Sequence, residues 1–244
     1  MSNIILVRHG QASFLDRDGN YDKLCANGEE QSRLLGEYWA RRGLVFSGAY
    51  SGPRLRQRET ARIVADAYRR AGVDFPETVV MSEFDEYQAE AALRECLPQL
   101  LQANLEIREL HRAYESSKEP NQSGDGRRTF QKLFEAVIRR WAAGEVRAKG
   151  VEPWHEFCSR VERGLVQVVR DTSSSGSAVI FTSAGAIGVA VRQALHLSAD
   201  DTLQLTWMSR NASFSEFLAS GERFTLSAFN AHPHLNGDRL LTYR

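Results

Sequence analysis

The chain has 244 residues, with 31 Lys and Arg balanced by 31 Asp and Glu, and is 42% hydrophobic and 25% charged. That balance excludes a strongly basic nucleic-acid binder, and the composition is that of an ordinary globular protein long enough to bury a substantial core. The longest unbroken apolar runs, such as residues 4–7 and 178–181, fall far short of the roughly 20 residues that cross a bilayer, so no membrane partner is expected.

Residues 4–7 (IILV) read as a strand buried on both faces of a parallel sheet, ending in Arg8-His9-Gly10. A helix opens near Asn27, carries Leu34, Leu35, Tyr38 and Trp39, and stops near Gly43. A strand over residues 45–50 follows. The turn Ser51-Gly52-Pro53 launches a second helix with Ala61, Val64, Ala65 and Tyr68 on one face and Gly72 as its stop. This β-α-β-α order points to a doubly wound α/β fold.

From about 88 to 150 the pattern turns helical. One stripe is Leu93, Leu97, Leu100, Leu101 and Leu105, and another is Phe130, Leu133, Phe134, Val137, Ile138 and Trp141, which predicts two amphipathic helices joined by a mobile polar loop over 116–129. Trp154, Phe157, Val161, Leu165 and Val168 mark another helix, and residues 178–182 another strand. A helix over about 185–195 and strands near 202–207, 213–218 and 223–229 complete the expected order.

The N-terminus runs straight into a strand-like segment with no signal-peptide pattern, which suggests a cytoplasmic protein. Cys25, Cys96 and Cys158 are odd in number and form no CxxC pair, so free thiols are expected rather than a disulfide frame or zinc site. His232 and His234 flank Pro233 without a carboxylate cluster, and His111, His155 and His196 fall on expected helices as surface or packing residues. No metal and no cofactor is expected.

In open α/β sheets ligands bind beyond the carboxyl ends of the strands, which is where Arg8-His9-Gly10 falls. A His beside an Arg pairs a nucleophilic imidazole nitrogen with a guanidinium suited to phosphate oxygens, and the Gly lets backbone amides approach. Alone, such a tripeptide also fits an ordinary hydrogen-bonded strand end.

The segments LVRHGQASF, YDKLCANGEEQ, SGPRLRQRETA, SEFDEY and FNAHPHL, in this order and spacing, resemble the histidine phosphatase superfamily, the phosphoglycerate-mutase-like proteins. The resemblance spans nearly the whole chain outside the helical stretch. It implies residues 1–244 as a single three-layer α/β/α domain with a mainly parallel central sheet, and a helical insertion at about 88–150 covering the site. It makes His9 the nucleophile that accepts the phosphoryl group and Arg8 a holder of its oxygens. The family's second Arg, four residues before a Thr-Ala pair, falls on Arg56, with Arg54 and Arg58 facing elsewhere. Positioning and charge neutralisation are most of what phosphoryl transfer requires. Glu83 aligns with the family's proton donor, and the like charge of Asp85 and Glu86 is expected to keep it protonated. Gln11, Ser13, Ser183, Ala184 and Gly185 are the expected phosphate- or substrate-binding positions around them.

Two departures matter. Where the family carries a second His in a Ser/Thr-His-Gly setting, this chain reads Thr182-Ser183-Ala184-Gly185, and Ala184 has no donor and no charge. Ser183 and the amides at the start of the next helix remain available to an anion. The Asn that mutases of the family carry five residues after the RHG Gly is Leu15, and Tyr87-Gln88-Ala89 replaces the mutase segment near the acid; both argue against a phosphoglycerate mutase. The expected activity is therefore metal-independent hydrolysis of a small phosphorylated substrate through a phosphohistidine at His9, slowed by Ala184. The alternative is a catalytically impaired member that binds a phosphorylated ligand or a partner protein. Substrate identity and oligomeric state stay open.

Overall fold

A computed structural model of the chain describes residues 1–13, 22–118, 126–221 and 223–243. Its strands are β1 (Ser2–Arg8), β2 (Gly48–Ser51), β3 (Thr78–Val80), β4 (Ser177–Thr182), β5 (Phe214–Ser220) and β6 (Arg223–Ala231). Its helices are α1 (Ala26–Arg41), α2 (Leu55–Arg70), α3 (Ala89–Ala103), α4 (Leu105–Ser116), α5 (Gly126–Ala142), α6 (Trp154–Asp171), α7 (Ala184–Leu195) and α8 (Ala199–Met208). The chain falls into two compact units. Residues 1–86 with 160–244 form an α/β unit, and residues 87–159 form a helical one.

The α/β unit is built on one six-stranded sheet in the order β3-β2-β4-β1-β5-β6. β1, β2, β3 and β4 run parallel, while β5 lies antiparallel to β1 and β6 antiparallel to β5. Because side chains alternate along a strand, Ile5 and Val7 of β1 and Val179 and Phe181 of β4 point to the face that Leu35, Trp39, Ala61, Val64 and Tyr68 of α1 and α2 cover. Ile4, Leu6, Ala178 and Ile180 point to the other face and are equally inaccessible, with α7 packed against β1. A central strand buried on both sides has no polar alternate, which is why β1 reads as an unbroken apolar run.

The register brings the carboxyl ends of three strands to one edge: Arg8 pairs with Thr182 and Ser51 with Phe181. The next residues are stitched across that edge, His9 N–H to the Thr182 carbonyl and Gly52 N–H to the Phe181 carbonyl, each at 2.9 Å. Gly43 and Gly72, at φ of 66° and 70°, stop α1 and α2 in the left-handed region where L side chains are strained.

Several elements differ from expectation. Residues 202–207 lie in helix α8, not a strand, because Ser198 caps its start by accepting from Asp201 N–H at 3.1 Å and Asp200 and Asp201 place negative charge on its first turn. The strand expected over 45–50 begins only at Gly48, and the three-residue edge strand β3 has no counterpart in the sequence reading.

In the helical unit the leucine stripe is cut at Asn104. That residue leaves helical geometry and accepts from Ile107 N–H at 3.1 Å, starting α4, so among its described residues the unit contains three helices before α6, and Leu105 is 63% exposed. Residues 126–129 of the expected loop are the first turn of α5, and residues 119–125 lie outside the described residues. Tyr87 stacks on Trp141 at 5.8 Å and meets Trp154 and Phe157 edge-on, an aromatic cluster that closes this unit's core.

The three cysteines are free thiols. Among the described residues no helix is long and apolar enough to cross a membrane, and no group of three or more His, Cys, Asp or Glu is placed to hold a metal ion.

Candidate functional site

His9 follows the last residue of β1 and is 4% exposed. Its backbone is held on both sides: its N–H bonds Thr182, and its carbonyl accepts from Ala212 N–H at 3.2 Å and Asn211 Nδ2 at 3.3 Å. The imidazole has one protonation pattern consistent with its neighbours. Arg56 Nε–H lies 3.1 Å from Nε2 and can only donate, so Nε2 carries the lone pair and Nδ1–H donates to the Gly10 carbonyl at 2.8 Å. Burial, then the positive charges of Arg56 and Arg8, hold its pKa well below 6.5. The ring is therefore a neutral base with its nucleophilic nitrogen against a guanidinium.

Gly10 permits this arrangement. A Cβ there would stand 2.4 Å from the Gly28 carbonyl oxygen, and a Cβ on Gly28 would stand 2.1 Å from that of Gln11, so the loop after β1 and the first turn of α1 touch backbone to backbone. Gly10 N–H donates to Thr60 Oγ1 at 3.0 Å, and Thr60 donates in turn to the Arg56 carbonyl at 2.7 Å. Thr60 thus ties the loop that bears His9 to the turn of α2 that bears Arg56.

Arg56 is 6% exposed; besides reaching His9 it donates through Nη1 to Asp22 Oδ1 at 2.8 Å. The other oxygen of Asp22 accepts Leu55 N–H at 2.9 Å, an acidic cap on the start of α2. Arg8 is buried too, its Nη1 on the Ser209 carbonyl after α8.

The remaining expected residues are placed less directly. Gln11 N–H bonds Gln31 Oε1 at 2.9 Å and its side-chain oxygen accepts from Asn27 at 2.7 Å, while Ser13 N–H bonds the Lys23 carbonyl at 2.7 Å. Ser183 Oγ, fully buried, accepts Gln57 Nε2 at 2.8 Å. Ala184 is the first residue of α7, and the Gly185 amide donates to Glu86 Oε2 at 3.0 Å. The amide expected to await an anion thus already holds an internal one.

Glu83 lies in a 3-10 turn (Ser82–Phe84), its Oε2 3.4 Å from Ser82 Oγ. The charges expected to crowd it are directed elsewhere: Asp85 faces Arg54 Nε at 2.5 Å, and Glu86 faces the start of α7. Arg54, expected to face away from the site, therefore serves the acidic segment. Leu15, which replaces the mutase Asn, lies outside the described residues.

Sequence reasoning missed Asp22, Gln57 and Arg160. Gln57 is completely buried; its Oε1 accepts Arg54 N–H at 3.0 Å and its Nε2 also reaches the Phe84 carbonyl at 3.2 Å. It joins α2, the 3-10 turn and the β4–α7 junction, a role with no periodic signature. A polar residue between two arginines in a first helical turn reads only as solvated surface.

The model of the histidine phosphatase superfamily (branch 1) matches residues 4–119 and 122–232. The chain belongs to this family. No curated protein matches it. Among solved structures, YhfR of Bacillus stearothermophilus aligns with a TM-score of 0.64 at 13% identity, over 96% of this chain and 99% of that one. A phosphoserine phosphatase from Entamoeba histolytica, solved with 3-phosphoglyceric acid, aligns at 0.63 and 16% identity, over 97% and 100%. A mycobacterial glucosyl-3-phosphoglycerate phosphatase aligns at 0.61 and 16% identity, over 94% and 98%. At these identities the likeness is one of fold.

Proposed function

We propose that this histidine phosphatase family member hydrolyses small phosphate monoesters through a phosphohistidine at His9. The observation that carries the reading is the Arg56 Nε to His9 Nε2 hydrogen bond on a buried, neutral imidazole. A phosphoryl group at that nitrogen meets Arg56 at once and lies beside Arg8. Nε2 forms the N–P bond as the ester P–O bond breaks, and the two guanidiniums neutralise the charge on the non-bridging oxygens. Water then attacks phosphorus, the N–P bond breaks, and inorganic phosphate leaves. Side chains supply both the nucleophile and the charge neutralisation, so no step is routed through a metal.

The leaving oxygen needs a proton, and the acidic segment offers two glutamates: Glu83, named by the family pattern, and Glu86, next to α7. Asp22 holds Arg56 and yields part of its hold to the entering phosphate. Ala184 is assigned to the family's second His position, where it supplies no donor.

Hydrolysis of p-nitrophenyl phosphate in the presence of EDTA tests the reading. The wild type is expected to turn over and His9→Ala to lose at least about a thousandfold, because the covalent route is gone. Equal rates would remove His9 from the mechanism. The second reading, a member that binds phosphorylated ligands without turnover, is favoured by one observation, the Gly185 amide held by Glu86. Tight vanadate binding with no hydrolysis of any ester would establish it.

A further inference from the structure

Two short segments at the sheet edge are each pinned by one side chain. Arg160 Nη1, from α6, donates to the carbonyls of Ser82 and Glu83 at 2.9 Å. Gln31, on the second turn of α1, pins the loop after β1, and it does so through a peptide group that the His9 ring also uses.

The side chain of Gln31 is completely buried, and both ends of its amide are engaged. Oε1 accepts Gln11 N–H, and Nε2 donates to the Leu240 carbonyl and to Thr242 Oγ1, each at 2.9 Å. Gln11 N–H and the Gly10 carbonyl belong to one planar trans peptide and point in opposite directions, so a partner fixed on the one aims the other. The Gly10 carbonyl is the acceptor of His9 Nδ1–H at 2.8 Å. Gln31 thereby sets the direction of the carbonyl that holds the proton on Nδ1 and leaves the lone pair on Nε2.

The peptide before it is held on both of its polar groups as well. The His9 carbonyl accepts Asn211 Nδ2 at 3.3 Å, and Gly10 N–H donates to Thr60 Oγ1 at 3.0 Å. Asn211 is 1% exposed, and its own N–H donates to the Thr242 carbonyl at 2.8 Å. The direction of these bonds starts from a group that can only accept, the Leu240 carbonyl. It takes an N–H from Gln31, which turns Nε2 toward the C-terminal segment and Oε1 toward Gln11. Thr242 Oγ1 accepts from Gln31 and gives its own hydrogen to Asn211 Oδ1 at 3.0 Å, which turns Asn211 Nδ2 toward the His9 carbonyl.

We infer that Gln31 is a positioning residue for His9, locked by residues 240–242 in the orientation that aims the Gly10 carbonyl at Nδ1. The inference rests on the phosphohistidine reading for its effect on rate, and on the hydrogen bonds alone for its effect on the ring. As Arg56 engages the phosphoryl oxygens, the bond to Gly10 keeps the proton on Nδ1 and Nε2 in line with phosphorus. Loosening that bond misaims the attack without removing a phosphate ligand, so turnover falls and phosphate affinity does not.

The test reads ring and rate separately in Gln31→Met, which keeps the side-chain length without its hydrogen bonds, in Thr242→Val and in Thr242→Ser. In protein labelled with 15N in its histidines, His9 is assigned by the signals lost in His9→Ala. The wild-type Nδ1–H is expected to exchange slowly with solvent, and that of Gln31→Met at least about tenfold faster. On p-nitrophenyl phosphate Gln31→Met is expected to lose about tenfold to a hundredfold in kcat, while inhibition by inorganic phosphate shifts by less than about twofold. Thr242→Val is expected to change both readouts in the same sense, with a loss in kcat of about threefold or more, and Thr242→Ser, which restores the hydroxyl, to match the wild type.

Should Gln31→Met fail to melt cooperatively, Thr242→Val decides. The inference is overturned if the variant that folds keeps the wild-type exchange of Nδ1–H, if it exchanges faster with no loss of kcat, or if phosphate affinity falls as far as kcat. Turnover retained by His9→Ala, or none in the wild type, would overturn the phosphohistidine reading instead, and the exchange of Nδ1–H would still decide whether Gln31 holds the ring.

Discussion

The sheet edge that carries the candidate site has two unlike sides. Along β1 and α2 stand Arg8, His9 and Arg56, all buried and held by backbone bonds, Thr60 and Asp22. Along β4 and α7 stand Ser183, Ala184 and Gly185, with the carboxylate of Glu86 against them and no cation in the hydrogen bonds described there. One side is organised to receive negative charge and the other already contains it. On the proposed function the phosphate would be anchored along β1 and α2, and a defect on either side should have its own kinetic signature.

The cationic side breaks most severely. Arg56→Lys keeps the charge but has neither the Nε–H that meets His9 nor the fork that also holds Asp22, so kcat/KM on an aryl phosphate is expected to fall about a hundredfold. A drop below about threefold would mean that charge alone suffices. Conversely, Ala184→His adds a donor to the opposite side and is expected to raise kcat on the same ester about tenfold, short of the ~10²–10³ of an ideally placed one. An unchanged kcat would show that the side with Glu86 works as it stands.

Gly28→Ala attacks the support of the cationic side, since its Cβ would overlap backbone atoms of Gln11. The expected loss is ~2–3 kcal/mol, roughly 5–10 °C in Tm for a chain of this size, read by thermal melting. The smallest effect concerns His234, behind the same side. Its ring lies 6.1 Å from that of Tyr38 and 6.2 Å from that of Phe214, and burial pulls its pKa to about 3. Because the folded state resists a proton that the unfolded chain accepts near pH 6.5, stability is full above that pH and declines below it, until about pH 3. His234→Phe is expected to flatten the fall in urea-unfolding free energy between pH 6.5 and 4 by up to ~1.4 kcal/mol per pH unit. An unaltered slope would show that His234 is not protonated on unfolding in that range.

The legible parts of this site were those whose signal is local. A strand buried on both faces announces itself by composition, so the placement of His9 at its carboxyl end follows from the sequence. Arg56 is named by its distance from Thr60-Ala61 in the family pattern. Helix α8 was misread because Thr202, Leu203, Gln204, Leu205 and Thr206 alternate as a strand would, while the deciding cap, Ser198, lies outside the alternating run. The break at Asn104 went unseen for the converse reason, since leucines continue past it. Gln57, Arg160 and Glu86 acquire their places from groups 78 to 126 positions away, such as Ser183 beside Gln57, and no window along the chain contains both partners.

The glycine contact behind His9 also limits how this protein can change. Gly10 and Gly28 each exclude a side chain on account of the other's neighbourhood, so neither can be replaced first without moving α1. The loop bearing His9 is closed to gradual remodelling, and a lineage or an engineer seeking a roomier site would have to widen it from the Glu86 side.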